Sequence, residues 1–488
     1  MISLFHPVDR VASGRIPGLL GVVLIVGTSG LAPSSMSAAA ISLQGSQLPS
    51  AQTLRPKLTL TAERNEINAM AVSPDGSLMV TVVSRLRRPR LRRLLLGVVS
   101  SMNDTRRSDS VLKLWDLRGS QLKRTINDLS VGYFRTITFS LDGRMLAASD
   151  ESWPRRIKVW DLNSGKLVLN VRGDLYNDRS AFSPDGNLLA ITEMPPIKQC
   201  STSLFDLRTG MLVATLPLDT KLARDWDNAC SLGVYFSNDG RRLITTSSDR
   251  DSALWDAGTG KRVAVLAGAS YSIFHDPSDG PTEMFSPDGK LAVTLRPTYQ
   301  PDKMTLSAEL WNAETGALIR HLETASEPVR FSPDGKTLAS AGWRTPGTIV
   351  ELWDVTTGKL IRTLKDTKGG CSDIIWSRDG QTIATAGDKL RVWNVSTGRL
   401  KSSLPAVVDW GWDFGSFIKN WDRLYLSPDN NFLIAANNKS TRLIDVGTGA
   451  LLERIDKLRL PAFFTSQGYW ATLTLDRKSV TLWEISPN

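Results

Sequence analysis

The chain has 488 residues, 41% of them hydrophobic and 22% charged, with 59 Lys and Arg against 49 Asp and Glu for a net charge of +10. That composition suits a folded polypeptide with a large core, and three cysteines, an odd number, exclude a closed disulfide framework. His6, His275 and His321 are its only histidines, so no His pair stands at metal-ligand spacing, and there is no Cys-x-x-Cys.

At the N-terminus Arg10 and Arg15 precede an apolar core, Leu19 to Val26, then small residues and Ala38-Ala39-Ala40. This is the order of a secretory signal peptide, expected over 1–40 with cleavage after Ala40, followed by a linker at 41–56. The apolar stretch is short and contains Gly, which disfavours a spanning helix. No Cys lies near the cleavage site, which disfavours a lipid anchor. The expected location is periplasmic or extracellular; a start at Met36 is the alternative and would leave a cytoplasmic protein.

From residue 57 onward one pattern recurs nine times. Its first signal is an apolar residue followed by Ser-Pro-Asp-Gly or a variant, beginning at Ser73, Ser140, Ser183, Ser237, Ser286, Ser332, Ser377 and Ser427, with a worn copy at Thr465 to Gly468. Pro presets φ, Asp bonds its own backbone and Gly takes the left-handed corner, so the tetrapeptide joins two strands. The residue before the Ser is bulky (Val72, Phe139, Phe182, Phe236, Phe285, Phe331, Trp376, Leu426) and ends the inner strand. An apolar residue six places after the Ser opens the second.

The second signal is Leu-Trp-Asp, centred in turn on Trp115, Trp160, Phe205, Trp255, Trp311, Trp353, Trp393, Ile444 and Trp483. The third is Thr-Gly or Ser-Gly, often followed by Lys or Arg, as at Thr259-Gly260-Lys261 and Thr357-Gly358-Lys359. It leads into a fourth strand. A period of about 40 to 50 residues is the length of a four-stranded propeller blade, which buries its faces only by stacking on its neighbours.

On these signals the chain resembles the WD40-repeat β-propeller family over residues 57–486. A TolB-like propeller shares Ser-Pro-Asp-Gly but lacks the repeated Trp-Asp and Thr-Gly-Lys. The resemblance implies an all-β fold, a single propeller of four-stranded blades. Nine repeats are counted, with eight blades as the alternative. The Gly-His dipeptide of eukaryotic blades is missing, so the resemblance is to a simpler bacterial type, held by turns and apolar packing without the His-Asp-Ser/Thr-Trp network. Residues 57–63 alternate like a strand and precede the first turn, whereas the ninth copy has three strands. The N-terminal strand is therefore expected to complete the last blade and close the ring.

Function is expected where the repeat is interrupted. An insertion at 84–110 in the first blade contains Arg85, Arg87, Arg88, Arg90, Arg92 and Arg93 beside Leu and Val, and holds six of the surplus positive charges. It could meet an anionic membrane surface or an acidic partner; the alternative is a solvated loop. Nucleic acid ranks lower, because a basic run alone is nonspecific. Aromatics outside the repeat positions form the second candidate surface. Trp153 and Trp343 fall between second and third strands; Trp226, Trp410, Trp412 and Trp421 fall between a fourth strand and the next blade. Tyr176, Tyr271 and Tyr299 are placed in the same two kinds of connection. In the resembled fold both kinds open on one face, where partners commonly bind, and aromatic anchors suit an interface. Packing of long loops onto the ring is the competing explanation for any one Trp.

Catalysis finds little support. There is no nucleophile elbow or phosphate-cradling loop, no cofactor or metal is expected, and Asp249, Asp251 and the stretch His275 to Gly280 read as turns. Cys200 and Cys230 are placed at one face, as a disulfide or, preferentially, as separate thiols; Cys371 completes the three. The favoured function is an exported, non-enzymatic scaffold binding a protein partner through the loop-bearing face. The alternative is a ligand-binding or enzymatic propeller using its central channel.

Overall fold

The computed structural model describes residues 54–61, 66–84, 110–128, 134–150, 156–172, 180–193, 201–217, 233–246, 251–266, 284–300, 303–322, 328–341, 349–366, 371–387, 389–405, 423–427, 429–436, 440–456, 458–464, 468–474 and 479–485. These residues form 35 strands and no helix. The strands make nine antiparallel sheets, one per repeat, which are the nine blades of a propeller. Eight sheets are four-stranded. Blade five has a three-stranded sheet, and Phe285, bridged to Ala292, stands in place of its innermost strand.

The turn chemistry read from sequence is present, with one addition. In blade six the Ser332 hydroxyl donates to the Asp334 carboxylate at 2.6 Å and accepts from the Thr337 backbone N–H at 2.9 Å. The Asp334 carboxylate in turn accepts from the Lys336 N–H at 3.1 Å. The serine is buried and is the hub of the turn, satisfying a strand N–H that the geometry would otherwise strand away from water. The same hydroxyl-to-carboxylate bond occurs at Ser73, Ser140, Ser183, Ser237, Ser286, Ser377 and Ser427.

Six residues beyond each serine, Leu146, Leu189, Leu243, Leu338, Ile383 and Leu433 are fully buried. Each third strand pairs back onto the second, and a register shift just before the Trp position lets the Thr-Gly turn close, as between Leu352 and Trp353. The Asp of Leu-Trp-Asp caps that turn: Asp354 accepts from the Thr357 N–H at 2.6 Å and from its hydroxyl at 2.8 Å.

Apolar faces meet between blades. Val80 and Leu114 of blade one pack with Phe139 and Trp160 of blade two, and Leu310 of blade five packs with Phe331 and Trp353 of blade six. So the Trp-bearing face of each blade covers the Leu-bearing face of the one before. The N-terminal strand, Leu54–Thr61, pairs antiparallel with Ser479–Ile485 and is the outermost strand of blade nine. It begins within the stretch read as linker. Leu60, Val480 and Leu482 then cluster with Ile67 and Met79 of blade one, so the two ends of the chain are joined through one core.

The blades are not held by turns and apolar packing alone, as the missing histidine suggested. The indole N–H donates to a hydroxyl on the neighbouring strand in six blades: Trp115 to Thr81, Trp255 to Thr245, Trp311 to Thr294, Trp353 to Ser340, Trp393 to Thr385 and Trp483 to Thr472. In each, the hydroxyl lies two residues beyond the Trp's cross-strand partner, as Ser340 lies beyond Leu338. The Trp–Ser/Thr half of the network survives without the histidine.

Candidate functional site

In a four-stranded antiparallel blade the first-to-second and third-to-fourth turns lie on one edge. The second-to-third connections and those between blades leave from the other. Ser84 and Ser110 are paired directly, so the Arg-rich insertion departs from this second edge. Trp153 falls between Asp150 and Arg156, Trp343 between Ala341 and Ile349, Tyr176 between Arg172 and Ser180, and Trp226 between Pro217 and Val234. Tyr271 follows Leu266, and Trp410, Trp412 and Trp421 fall between Pro405 and Arg423. All the candidate Trp residues, Tyr176, Tyr271 and the six Arg lie outside the described residues, as do Cys200 and Cys230. Their connections all start from the same edge of the ring.

Tyr299 differs from expectation. It belongs to a strand, Leu291–Gln300, paired with Lys303–Asn312 through Gln300↔Lys303, and stands opposite Met304. The outermost strand of this blade pairs only as far as Ala308. The ribbon thus runs beyond its sheet toward the connection-bearing edge, because the pairing of 297–300 with 303–306 continues past the point where the third partner stops.

Just below that edge the blades hold charge that the repeat signals did not reveal. Glu309, two residues before Trp311, is buried; its Oε1 accepts from the Arg296 guanidinium at 3.1 Å and lies 3.6 Å from His321 Nδ1, while Oε2 has no hydrogen-bond partner. The same position holds Arg391 in blade seven, which donates to the Asp366 carboxylate of blade six at 2.5 Å. In blade eight it holds Arg442, which donates to the Pro405 carbonyl of blade seven. The signal was present: strand alternation places the residue two before the Trp on the same, blade-to-blade face. Nearer the ring axis, the Asp373 carboxylate of blade seven pairs with Arg330 of blade six at 3.5 Å and accepts from the Leu424 N–H of blade eight at 3.3 Å.

Arg391, Arg442 and Asp373 act as clasps between blades, whereas Glu309 and its partners Arg296 and His321 tie the three strands of blade five. Cys371 is buried, and desolvation together with the nearby Asp373 pushes its thiol well above the usual range, which keeps it protonated and a poor nucleophile. Among the described residues no group of three or more His, Cys, Asp or Glu could hold a metal ion, and no helix is long and apolar enough to cross a membrane.

Residues 300–398 match the family described as eukaryotic translation initiation factor eIF2A. The nuclear distribution protein PAC1-1 of Uncinocarpus reesii is 29% identical over 287 residues, which is 53% of this chain and 57% of that protein. The small ribosomal subunit protein RACK1 of Drosophila melanogaster is 26% identical over 30% of this chain and 44% of its own length. The autophagy-related protein 16 of Arabidopsis thaliana is 26% identical over 51% of this chain and 45% of its own length. Such relatives are matched over about half their length. A solved structure titled as a crystal structure of the eukaryotic initiation factor superposes with a TM-score of 0.52 at 12% identity, over 80% of this chain and 88% of that one, and shows the fold alone. Repeat signals, blade order and these likenesses agree that the chain is a WD40-like β-propeller of nine blades.

Proposed function

We propose that the protein is an exported, non-enzymatic scaffold that binds a protein partner through the connection-bearing edge of the ring. One observation carries the reading. The polar groups of the repeat are spent within and between blades on turns, indole bonds and clasps, whereas the Trp-rich segments and the Arg-rich insertion leave from a single edge and are not needed to build a blade. A ring whose aromatic-rich connections leave from one side suits protein recognition. Two relatives are named as parts of assemblies, a ribosomal subunit and a subunit of an initiation factor, which supports the same kind of role here. Export rests on the order of residues 1–40.

The test is affinity capture from the envelope fraction of the native cell, comparing the wild-type protein with a Trp410→Ala/Trp412→Ala variant of unchanged thermal midpoint. The expected result is a defined partner retained by the wild type and lost from the variant. Equal capture by both would remove the 408–421 segment from the partner face. Sequencing the mature N-terminus tests export: a chain beginning near Ile41 is expected, and one retaining Met1 or Met36 would overturn it.

A further inference from the structure

The outermost strand of each blade is an edge, with backbone N–H and C=O groups available to another strand. Edges of this kind are normally blunted by charge, twist or Pro. Every outermost strand in the ring carries Lys or Arg except one: blade three, Met211–Pro217, reads Met-Leu-Val-Ala-Thr-Leu-Pro. Four blades place Lys or Arg directly after the turn glycine, at Lys166, Lys261, Lys359 and Arg399, and blade three places Met211 there. Met211, Leu212 and Val213 are 69%, 51% and 39% exposed, the only three successive large apolar residues exposed among the described residues. Thr215 is exposed as well.

We propose that this strand pairs antiparallel with the same strand of a second copy, making a two-fold dimer at the outer rim. A two-fold contact sets a strand against its own reverse, so a charge near the middle of the strand meets its own copy close by, and one at the end adds a charge to the apolar seam. An uncharged strand is complementary to itself, and Met211–Pro217 is the only outermost strand that meets that condition. Centring the pair on Ala214 brings Val213, the extra residue where the strand shifts register against Phe205, near Thr215 of the other copy, a meeting of β-branched side chains that suits a sheet. It also puts Pro217, which lacks an N–H, at the end of the ladder where the loss matters least. Seven residues of pairing bury less than the roughly 1,000 Å² of a stable interface, so the dimer is weak, with a dissociation constant on the order of micromolar.

Sedimentation velocity on the full chain, from about 1 to 100 µM so as to bracket that constant, reads this directly. The mass is expected to rise from 53.6 kDa toward twice that value with concentration. Val213→Lys, and separately Thr215→Lys, should hold the protein at the monomer mass across the range with an unchanged thermal midpoint. Ile361→Lys, on the outermost strand of blade six (Leu360–Lys365), should leave the rise intact. A wild-type mass that does not change with concentration, or a Val213→Lys protein that dimerises like wild type, overturns the proposal. So would a monomer that uses this strand only for a different protein.

Discussion

The serine of each first turn carries more than its place in a turn motif suggests. Ser332→Ala removes the acceptor for the Thr337 N–H and the donor to Asp334, leaving a half-buried backbone group unpaired. The expected loss is about 1–3 kcal/mol, read as a lower denaturation midpoint without a change in slope. The turn carboxylates respond to pH. Bonds from the Ser286, Ser332 and Ser377 hydroxyls, the largest influence at each, hold Asp288, Asp334 and Asp379 below the ordinary carboxylate range. A carboxylate lowered on folding contributes stability that is fully present above the unfolded value of about 3.9 and is lost as pH falls through the folded one. Acid titration followed by circular dichroism should therefore show the ring losing stability below about pH 4, and Asp334→Asn should flatten that dependence. Glycine positions divide similarly. Gly260 has φ +68°, and a Cβ there would stand 2.2 Å from the Ala214 Cβ of the preceding blade. Gly260→Ala should cost more than the roughly 1 kcal/mol of a strained turn alone. At the matching corner of blade one Ser120 adopts φ 51°, so Ser120→Gly should stabilise the protein slightly, by about 0.5–1 kcal/mol, read as a small rise in the thermal midpoint. The turn role of these residues was legible from spacing. The contact with the blade before was not, because it joins residues some 46 positions apart, as Ala214 and Gly260 are.

At the scale of the strand, the indole–hydroxyl bond ties the second and third strands of a blade. Trp353→Phe keeps the ring's apolar bulk and deletes the donor to Ser340, leaving a buried hydroxyl. We expect a loss of about 1 kcal/mol, largely recovered in the Trp353→Phe/Ser340→Ala double variant because the orphaned oxygen is then gone as well. Strand existence and order were readable because turn residues bracket each apolar run, and Leu-Trp-Asp ends each third strand where it was expected. The ribbon bearing Tyr299 was read as a connection. Pro297 and Pro301 interrupt its pattern, and only the pairing of Pro297 with Leu306 and of Gln300 with Lys303 makes it a strand. The buried charges were also overlooked as a group. Glu309, Arg391 and Arg442 occupy one register position, yet their partners lie on different elements, and a lone charged residue in an apolar run gives no hint of which carbonyl or carboxylate will meet it.

At the scale of the ring, closure by Leu54–Thr61 is the feature most exposed to test. Deleting those residues leaves Ser479–Ile485 as an unpaired edge and opens the cluster of Leu60, Val480 and Leu482 against Ile67 and Met79. A sharp fall in unfolding temperature is expected, measured by calorimetry, with aggregation through the freed edge. The sequence by itself determined the all-β class, the nine repeats, the strand order within a blade and the edge from which the Trp-rich and Arg-rich segments depart. It could do so because turn formation is local: Pro, Gly, Asp and Ser act on backbone within six residues of themselves. Only the tertiary structure decided how blades are fastened to one another, since the Arg391–Asp366 and Asp373–Leu424 clasps and the seat of Ala214 beneath Gly260 each join residues more than 20 positions apart. The uncharged run Met211–Pro217 is plain in the sequence, but that it stands exposed was likewise decided there, because exposure depends on what the neighbouring blade covers.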